Sequence, residues 1–150
     1  MAQRSSTPWR TTIWADAEFR QLTPLAQWLY FYLWTQPSVN SGGFLDLHVT
    51  KWTKASVHLI PQDVEVALDE LLARGWVMVD DETDELWLCR WIREDAINSP
   101  LIWVGALKAI RVVSSRTLRH AAYEEVCGPR PVVKTNPDRP EIVPEIEHAL

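Results

Sequence analysis

Apolar residues recur at helical spacing between Pro61 and Gly75. The apolar positions in this segment are spaced i, i+4, i+7 and i+8, which places them on one side of a helix. Pro61 is favoured in a first helical turn, and Gly75 is typical of the residue that follows a helix. The side chains of this stripe are Val64, Leu68, Leu71 and Leu72. The pattern therefore predicts a helix between Pro61 and Gly75.

Two segments after this helix, residues 76–79 and 86–92, are rich in aromatic and β-branched residues. A polar run at 80–85 separates them, as a hairpin connection would. We expect a two-stranded antiparallel hairpin directly after the helix.

The first sixty residues predict one long helix and several shorter elements. A short helix is expected at 15–21, with Trp14 and Phe19 pointing inward. Thr23 and Pro24 supply an N-cap and a first-turn proline for a longer helix. Its apolar face comprises Leu25, Trp28, Leu29, Tyr32 and Leu33, and Phe31 and Trp34 extend the apolar surface to other sides. This pattern predicts a central helix that is covered from several directions.

The next segments complete a recognisable order of elements. A loop at 37–43 leads to a short strand at 44–47, a short helix at 49–55 and a turn at 56–60. The resulting order of helix, strand, helix, helix, strand, strand is typical of a winged helix-turn-helix. We therefore predict an α+β fold, mostly α, with a winged-helix core and a C-terminal helical extension.

Four segments divide the chain. Residues 1–10 are polar and predict a flexible arm, and residues 11–95 form the predicted winged-helix domain. Residues 96–127 predict the helical extension, with a polar connection at 93–100 and a helix at 101–125 that breaks near Ser114 and Ser115. Residues 128–150 contain five of the ten prolines, so we expect a disordered, Pro-rich tail there.

Composition limits the class of protein. The chain has 150 residues and is 47% hydrophobic, which suits one domain with a substantial core. Most of its nine tryptophans are expected to be buried. Two cysteines are too few for a disulfide framework, and no signal peptide or membrane-spanning run is visible. We expect a cytoplasmic protein that does not associate with a membrane.

Charge is distributed unevenly. The formal net charge is −5, and residues 41–95 carry five basic and twelve acidic side chains. The helix predicted between Pro61 and Gly75 corresponds to the third helix of a winged-helix core, which enters the major groove in DNA-reading members. It has Asp63, Glu65, Asp69 and Glu70 away from its apolar stripe. The hairpin connection adds five carboxylates in six residues. Because carboxylates repel phosphates, the usual docking of this helix and hairpin is disfavoured.

Two places remain where nucleic acid could be held. The first is the short helix predicted at 49–55 and the turn after it, where phosphate contacts are expected from Lys51, Lys54, Ser56 and His58. The second lies further along the chain, where Lys108, Arg111, Arg116 and Arg119 form a basic edge. Two alternatives stay open for this edge: a solvated helix face, or a face that docks on the acidic core of a second copy.

Other chemistry finds no support in the residues. The four histidines and two cysteines lack the spacing of metal ligands, and the acidic run at 80–85 lacks the glycine and final glutamate of a calcium loop. No phosphate-binding loop or nucleophile motif is present. We predict no catalytic residues, no metal, no cofactor and no enzymatic activity.

The segments TTIWADAEFRQLTPLAQWLYFYLWTQP, DVEVALDELLARGWVMVDDETDELWLCRWIRED and ALKAIRVVSSRTLRHAAYEEV resemble small helix-turn-helix proteins of actinobacteriophages and their prophages. These are similar in turn to the N-terminal winged-helix domains of DnaD-type and phage replication initiation proteins. The resemblance implies binding of double-stranded DNA in replication or transcriptional regulation, with the third helix as reader. In DnaD-like domains the winged helix serves largely for self-association, so the resemblance also implies that this chain self-associates.

Together, these patterns favour a phage-encoded winged-helix protein that binds double-stranded DNA in the cytoplasm of its bacterial host, as a homodimer. The alternative is a protein interaction or dimerisation module whose acidic surface targets a host or phage protein.

Overall fold

The computed structural model describes residues 5–7, 9–95 and 100–128, and within them the chain is mostly helical with one small antiparallel sheet. The predicted α+β class, mostly α, is confirmed. The helices are α1 Ala17–Arg20, α2 Pro24–Trp34, α3 Val49–Trp52, α4 Pro61–Ala73, α5 Trp91–Asp95, α6 Pro100–Val112 and α7 Arg116–Cys127. The strands are β1 Phe44–Asp46, β2 Val77–Asp80 and β3 Glu85–Leu88. Short 3-10 turns at Thr11–Ala15 and Thr53–Ala55 precede α1 and follow α3.

The sheet has the order β1-β3-β2, and both of its strand pairs are antiparallel. β2 and β3 form the predicted hairpin, with Val77 opposite Leu88 and Asp80 opposite Glu85. β1 adds a third strand on the free edge of β3, as the sequence predicted.

The second hairpin strand is shorter than expected. Strand pairing ends at Leu88, and Trp91 and Ile92 begin α5 rather than extending the strand. Both side chains are fully buried although they are neighbours in sequence. Burial alone does not require this helix, because Leu86, Trp87 and Leu88 are likewise buried as successive residues of β3.

The core is centred on α2 and α4, which pack against each other. α2 buries Ala26, Leu29, Tyr30, Leu33 and Trp34, whereas Leu25, Trp28, Phe31 and Tyr32 are half-buried around it. The helix is therefore covered from several sides, as its apolar circumference predicted. Five of the nine tryptophans are buried: Trp34, Trp52, Trp76, Trp87 and Trp91.

Two predicted core residues lie at the surface. Leu72 is 37% exposed, and Ala67 is buried on α4 together with Val64, Leu68 and Leu71. Trp14 is 60% exposed because it belongs to the 3-10 turn before α1 and contacts Phe19 only through ring edges. Phe19 itself is fully buried, as predicted.

The last two residues of the predicted flexible arm, Trp9 and Arg10, contact the rest of the fold. Trp9 packs against Phe31 and Trp34, with ring centroids 4.3 and 5.0 Å apart, and Arg10 forms an ion pair with Glu94 at 3.1 Å. Residues 1–4 and the tail after Gly128 lie outside the described residues, so the predictions made for them stay predictions.

Candidate nucleic-acid interface

The first predicted basic group lies on α3 and the turn that follows. Lys51 and Lys54 are exposed, and so is His58. The Ser56 hydroxyl oxygen accepts a hydrogen bond from the His58 backbone N–H at 3.2 Å, which shapes the turn into α4. α3 packs against α4, so this group lies beside the N-terminal half of α4.

The second predicted group is divided between two helices. Lys108 and Arg111 are exposed on α6, Arg116 is exposed in the first turn of α7, and Arg119 is half-buried. α6 and α7 pack against each other, and α7 also contacts both hairpin strands. The two basic groups therefore lie on different helices, the first on one that packs against α4 and the second on the α6–α7 pair.

Most of the other described arginines form ion pairs, in contrast to the predicted site cations. Arg10, Arg74, Arg90 and Arg93 each lie within ion-pair distance of a carboxylate. Among the described residues, no such pair involves the predicted site cations Lys51, Lys54, Lys108, Arg111, Arg116 and Arg119. As far as the described residues go, these six charges are available to an anion without first breaking an ion pair.

The hairpin holds the start of α7 through two carboxylates. Glu85 accepts hydrogen bonds from the backbone N–H groups of Ser114 and Ser115, at 3.0 and 2.7 Å, and Asp80 accepts one from the Ser115 hydroxyl. The Ser115 side chain also caps α7 by accepting from Leu118 N–H at 3.1 Å. The hydrogen bond from Ser115 lowers the pKa of Asp80 below its usual value. Carboxylates are stabilising at this positive end of a helix dipole.

This junction was missed by the sequence reasoning, which treated the acids at 80–85 as a solvated connection. The break at Ser114 and Ser115 was its only visible signal, because serine is a preferred N-cap. The junction also places Arg116 directly after a residue that two carboxylates bind. Arg116 is therefore close to negative charge, whereas the basic edge was expected to be clear of it.

Two acidic residues of α4 accept hydrogen bonds that hold the fold, and the other two are exposed. Asp63 accepts a hydrogen bond from Ile60 N–H at 2.9 Å and caps its own helix. Glu70 accepts from the Thr23 N–H at 3.0 Å and from its hydroxyl at 2.6 Å, which ties α4 to the start of α2. Glu65 and Asp69 are exposed and make no such contact within the described residues. They leave the outward side of α4 acidic.

Arg90 anchors the N-terminal segment around a small cavity. Its guanidinium lies 3.7 Å from the centre of the Trp76 ring, donates to Asp16 at 2.9 Å and also pairs with Glu18. Trp9, Tyr30, Trp34 and Trp76 line the cavity, which has a volume of about 110 Å³. Burial raises the pKa of the Tyr30 hydroxyl well above its usual value. Because every charged group here has a partner of opposite sign, the cluster has a structural role in holding residues 9–18.

Glu125 is an acidic residue of α7 that is buried where this helix packs against α5. Its nearest cation is Arg93, whose Nε lies 3.6 Å from the carboxylate. Neither carboxylate oxygen has a hydrogen-bond partner among the described residues. Burial raises the pKa of Glu125 from 4.5 to about 7, and the Arg93 charge offsets only part of this effect.

We expect Glu125→Gln to stabilise the protein at pH 8. The folded-state pKa lies above the unfolded value, so the folded protein binds more protons between pH 4.5 and 7 and loses stability as the pH rises through that window. After allowance for solvent screening and the Arg93 contact, the gain at pH 8 is about 1 to 2 kcal/mol, and it should vanish near pH 4. Urea unfolding at several pH values measures this difference.

The neighbouring Glu124→Gln is the matched control for that experiment, because Glu124 is exposed and, among the described residues, pairs with His120 alone. It should leave the pH dependence of stability unchanged. Equal pH profiles for Glu125→Gln and the unsubstituted protein would contradict the assignment.

The described residues contain neither a metal-binding cluster nor a membrane-spanning helix. Within residues 5–7, 9–95 and 100–128, no group of three or more His, Cys, Asp or Glu side chains could hold a metal ion. No helix in the same part of the chain has the length and apolar character needed to cross a bilayer.

Comparison of the chain with models of protein families, with curated proteins and with solved structures found no match.

Proposed function

We propose that this chain is a phage-encoded, non-enzymatic winged-helix protein that binds double-stranded DNA in the cytoplasm of a bacterial host, in replication or transcriptional regulation. The order of α2, β1, α3, α4, β2 and β3, together with the sheet order β1-β3-β2, supports the winged-helix assignment. In this assignment α3 and α4 form the helix-turn-helix and the β2–β3 connection is the wing.

Binding is proposed to occur mainly through phosphates. The observation that carries this proposal is the set of six site cations that make no ion pair within the described residues, while most neighbouring arginines are paired. Phosphate contacts supply affinity and orientation without reading sequence, and they do not require a basic reading helix. Because Glu65 and Asp69 face outward from α4, we propose that this helix does not enter the groove in the usual pose.

Fluorescence anisotropy of a labelled duplex at two salt concentrations tests the proposal. Removing two phosphate contacts with Lys108→Ala and Arg111→Ala should weaken binding at low salt about tenfold or more. It should also reduce the slope of log K against log salt by about 2. The pair Lys51→Ala and Lys54→Ala should behave similarly.

Arg20→Ala is the control, because Arg20 is an exposed cation on α1, outside both predicted groups. It should change affinity much less than either pair. Absence of binding at low salt, or equal losses from all three changes, would contradict the assignment of DNA contacts.

A protein interaction module is the second candidate, and one observation favours it. α4 presents Val66, Glu65 and Asp69 to solvent where a DNA-reading helix would present cations. An acidic surface with apolar content suits a basic host or phage protein better than DNA. Recovery of a specific protein by the full-length chain, together with no affinity for duplex DNA, would favour this candidate.

A further inference from the structure

α4 and α6 expose faces of opposite charge, and each face also exposes apolar side chains. We define the acidic face of α4 as Glu65, Val66, Asp69 and Leu72, and the basic face of α6 as Leu101, Lys108, Arg111 and Val112. Val66, Leu101 and Val112 are 62, 82 and 78% exposed. Exposed apolar side chains beside charged groups are common in protein interaction sites.

Both faces point away from the core of their own chain. On α4 the buried side consists of Val64, Ala67, Leu68 and Leu71. On α6 the buried residues are Ala106, Ala109 and Ile110. The two faces therefore do not cover each other within one molecule, and the described residues leave both open to solvent.

The acidic face of α4 and the basic face of α6 are complementary. Glu65 and Asp69 lie about one turn apart, and Lys108 and Arg111 are also about one turn apart, at helical spacings i, i+4 and i, i+3. Axes of packed helices lie about 8–10 Å apart, so the two charge pairs can approach within reach of each other. Val112 directly follows Arg111 and can join Val66 in the contact, whereas Leu101 lies about 16 Å from Val112 along α6. Neither carboxylate is engaged elsewhere among the described residues, and neither cation is in an ion pair there.

We propose that the acidic face of α4 binds the basic face of α6 in a second copy of this chain. Each copy carries one of each face. Two copies can therefore satisfy both faces if a two-fold axis relates them, and a head-to-tail contact would instead extend into a chain of copies. The contact covers the outward side of α4. The contact requires no nucleic acid, but it competes with DNA binding, because Lys108 and Arg111 are also the proposed phosphate contacts.

Charge reversal in the full chain tests this contact without nucleic acid. Sedimentation velocity of nuclease-treated protein should show association that rises with concentration and falls at high salt. Glu65→Lys with Asp69→Lys should weaken self-association at least tenfold, and Lys108→Glu with Arg111→Glu should do the same. An equimolar mixture of the two variants should associate again, because each then supplies the face that complements the other.

The control reverses two exposed carboxylates of the hairpin connection, Asp81→Lys with Glu82→Lys, which changes net charge by the same amount as the α4 variant. It should self-associate like the unsubstituted protein. A protein that is monomeric at every concentration would overturn the proposal. A mixture that stays monomeric although both variants retain the circular dichroism of the folded chain would also overturn it. Loss of DNA binding in the α6 variant alone would bear on the proposed function and not on this contact.

Discussion

Trp91→Ala is expected to lower the free energy of unfolding by about 3 to 5 kcal/mol, the usual cost of deleting a large aromatic side chain from a core. Trp91 is fully buried, and its ring lies against that of Trp34 with centroids 4.3 Å apart. Its indole N–H donates to the Ser41 carbonyl at 3.2 Å. The side chain thus joins α5, α2 and the turn before β1, so its loss leaves a cavity and an unpaired carbonyl.

Urea unfolding followed by far-ultraviolet circular dichroism measures the loss. Trp14→Ala is the matched control, because Trp14 is 60% exposed, and we expect a change of less than about 1 kcal/mol there. Trp91→Phe should fall between the two, since it keeps an aromatic ring but loses the hydrogen bond to Ser41. Similar stabilities for Trp91→Ala and Trp14→Ala would contradict the position of Trp91 in the core.

Gly43→Ala is expected to cost about 3 kcal/mol. Gly43 has a φ of +81°, which disfavours any residue with a β-carbon by about 1 kcal/mol or more. An added β-carbon would also lie 2.4 Å from Cβ and 2.5 Å from Cγ of Trp91, so either the buried ring or the backbone has to move. Such overpacking adds about 1 to 3 kcal/mol.

Gly75→Ala provides a direct comparison. Gly75 has a similar φ of +71°, but a β-carbon there would meet no atom within 4 Å. Its substitution should cost about 1 kcal/mol from the backbone conformation alone, so the difference between the two variants measures the contact with Trp91. Equal losses at the two positions would mean that Gly43 does not closely approach Trp91.

The predicted site residues could be named from sequence, but their partners could not. Basic residues between Lys108 and Arg119 are visible as a run of cations without nearby acids in the chain. That Arg116 starts a helix held by Asp80 and Glu85 depends on contacts between residues about 30 positions apart, whereas Lys108 and Arg111 have no carboxylate partner within the described part of the chain. No local spacing encodes such contacts.

Burial of charge was equally out of reach for the sequence. Glu124 and Glu125 are adjacent and chemically identical, yet one is exposed and the other lies under α5 with a raised pKa. Helical geometry separates neighbours by about 100° around the axis, and only the position of α5 decides which of them is covered. The consequence for pH-dependent stability follows from that packing.

The sequence by itself determined the helix at Pro61–Ala73, the hairpin after it and the break before Arg116, because these follow from periodicity, turn residues and caps that act over a few positions. Tertiary structure alone decided that Ala67 rather than Leu72 is buried, that Trp91 starts a helix, and which charges find partners. These outcomes depend on where separate elements meet, and that is settled when the whole core packs rather than within any one segment.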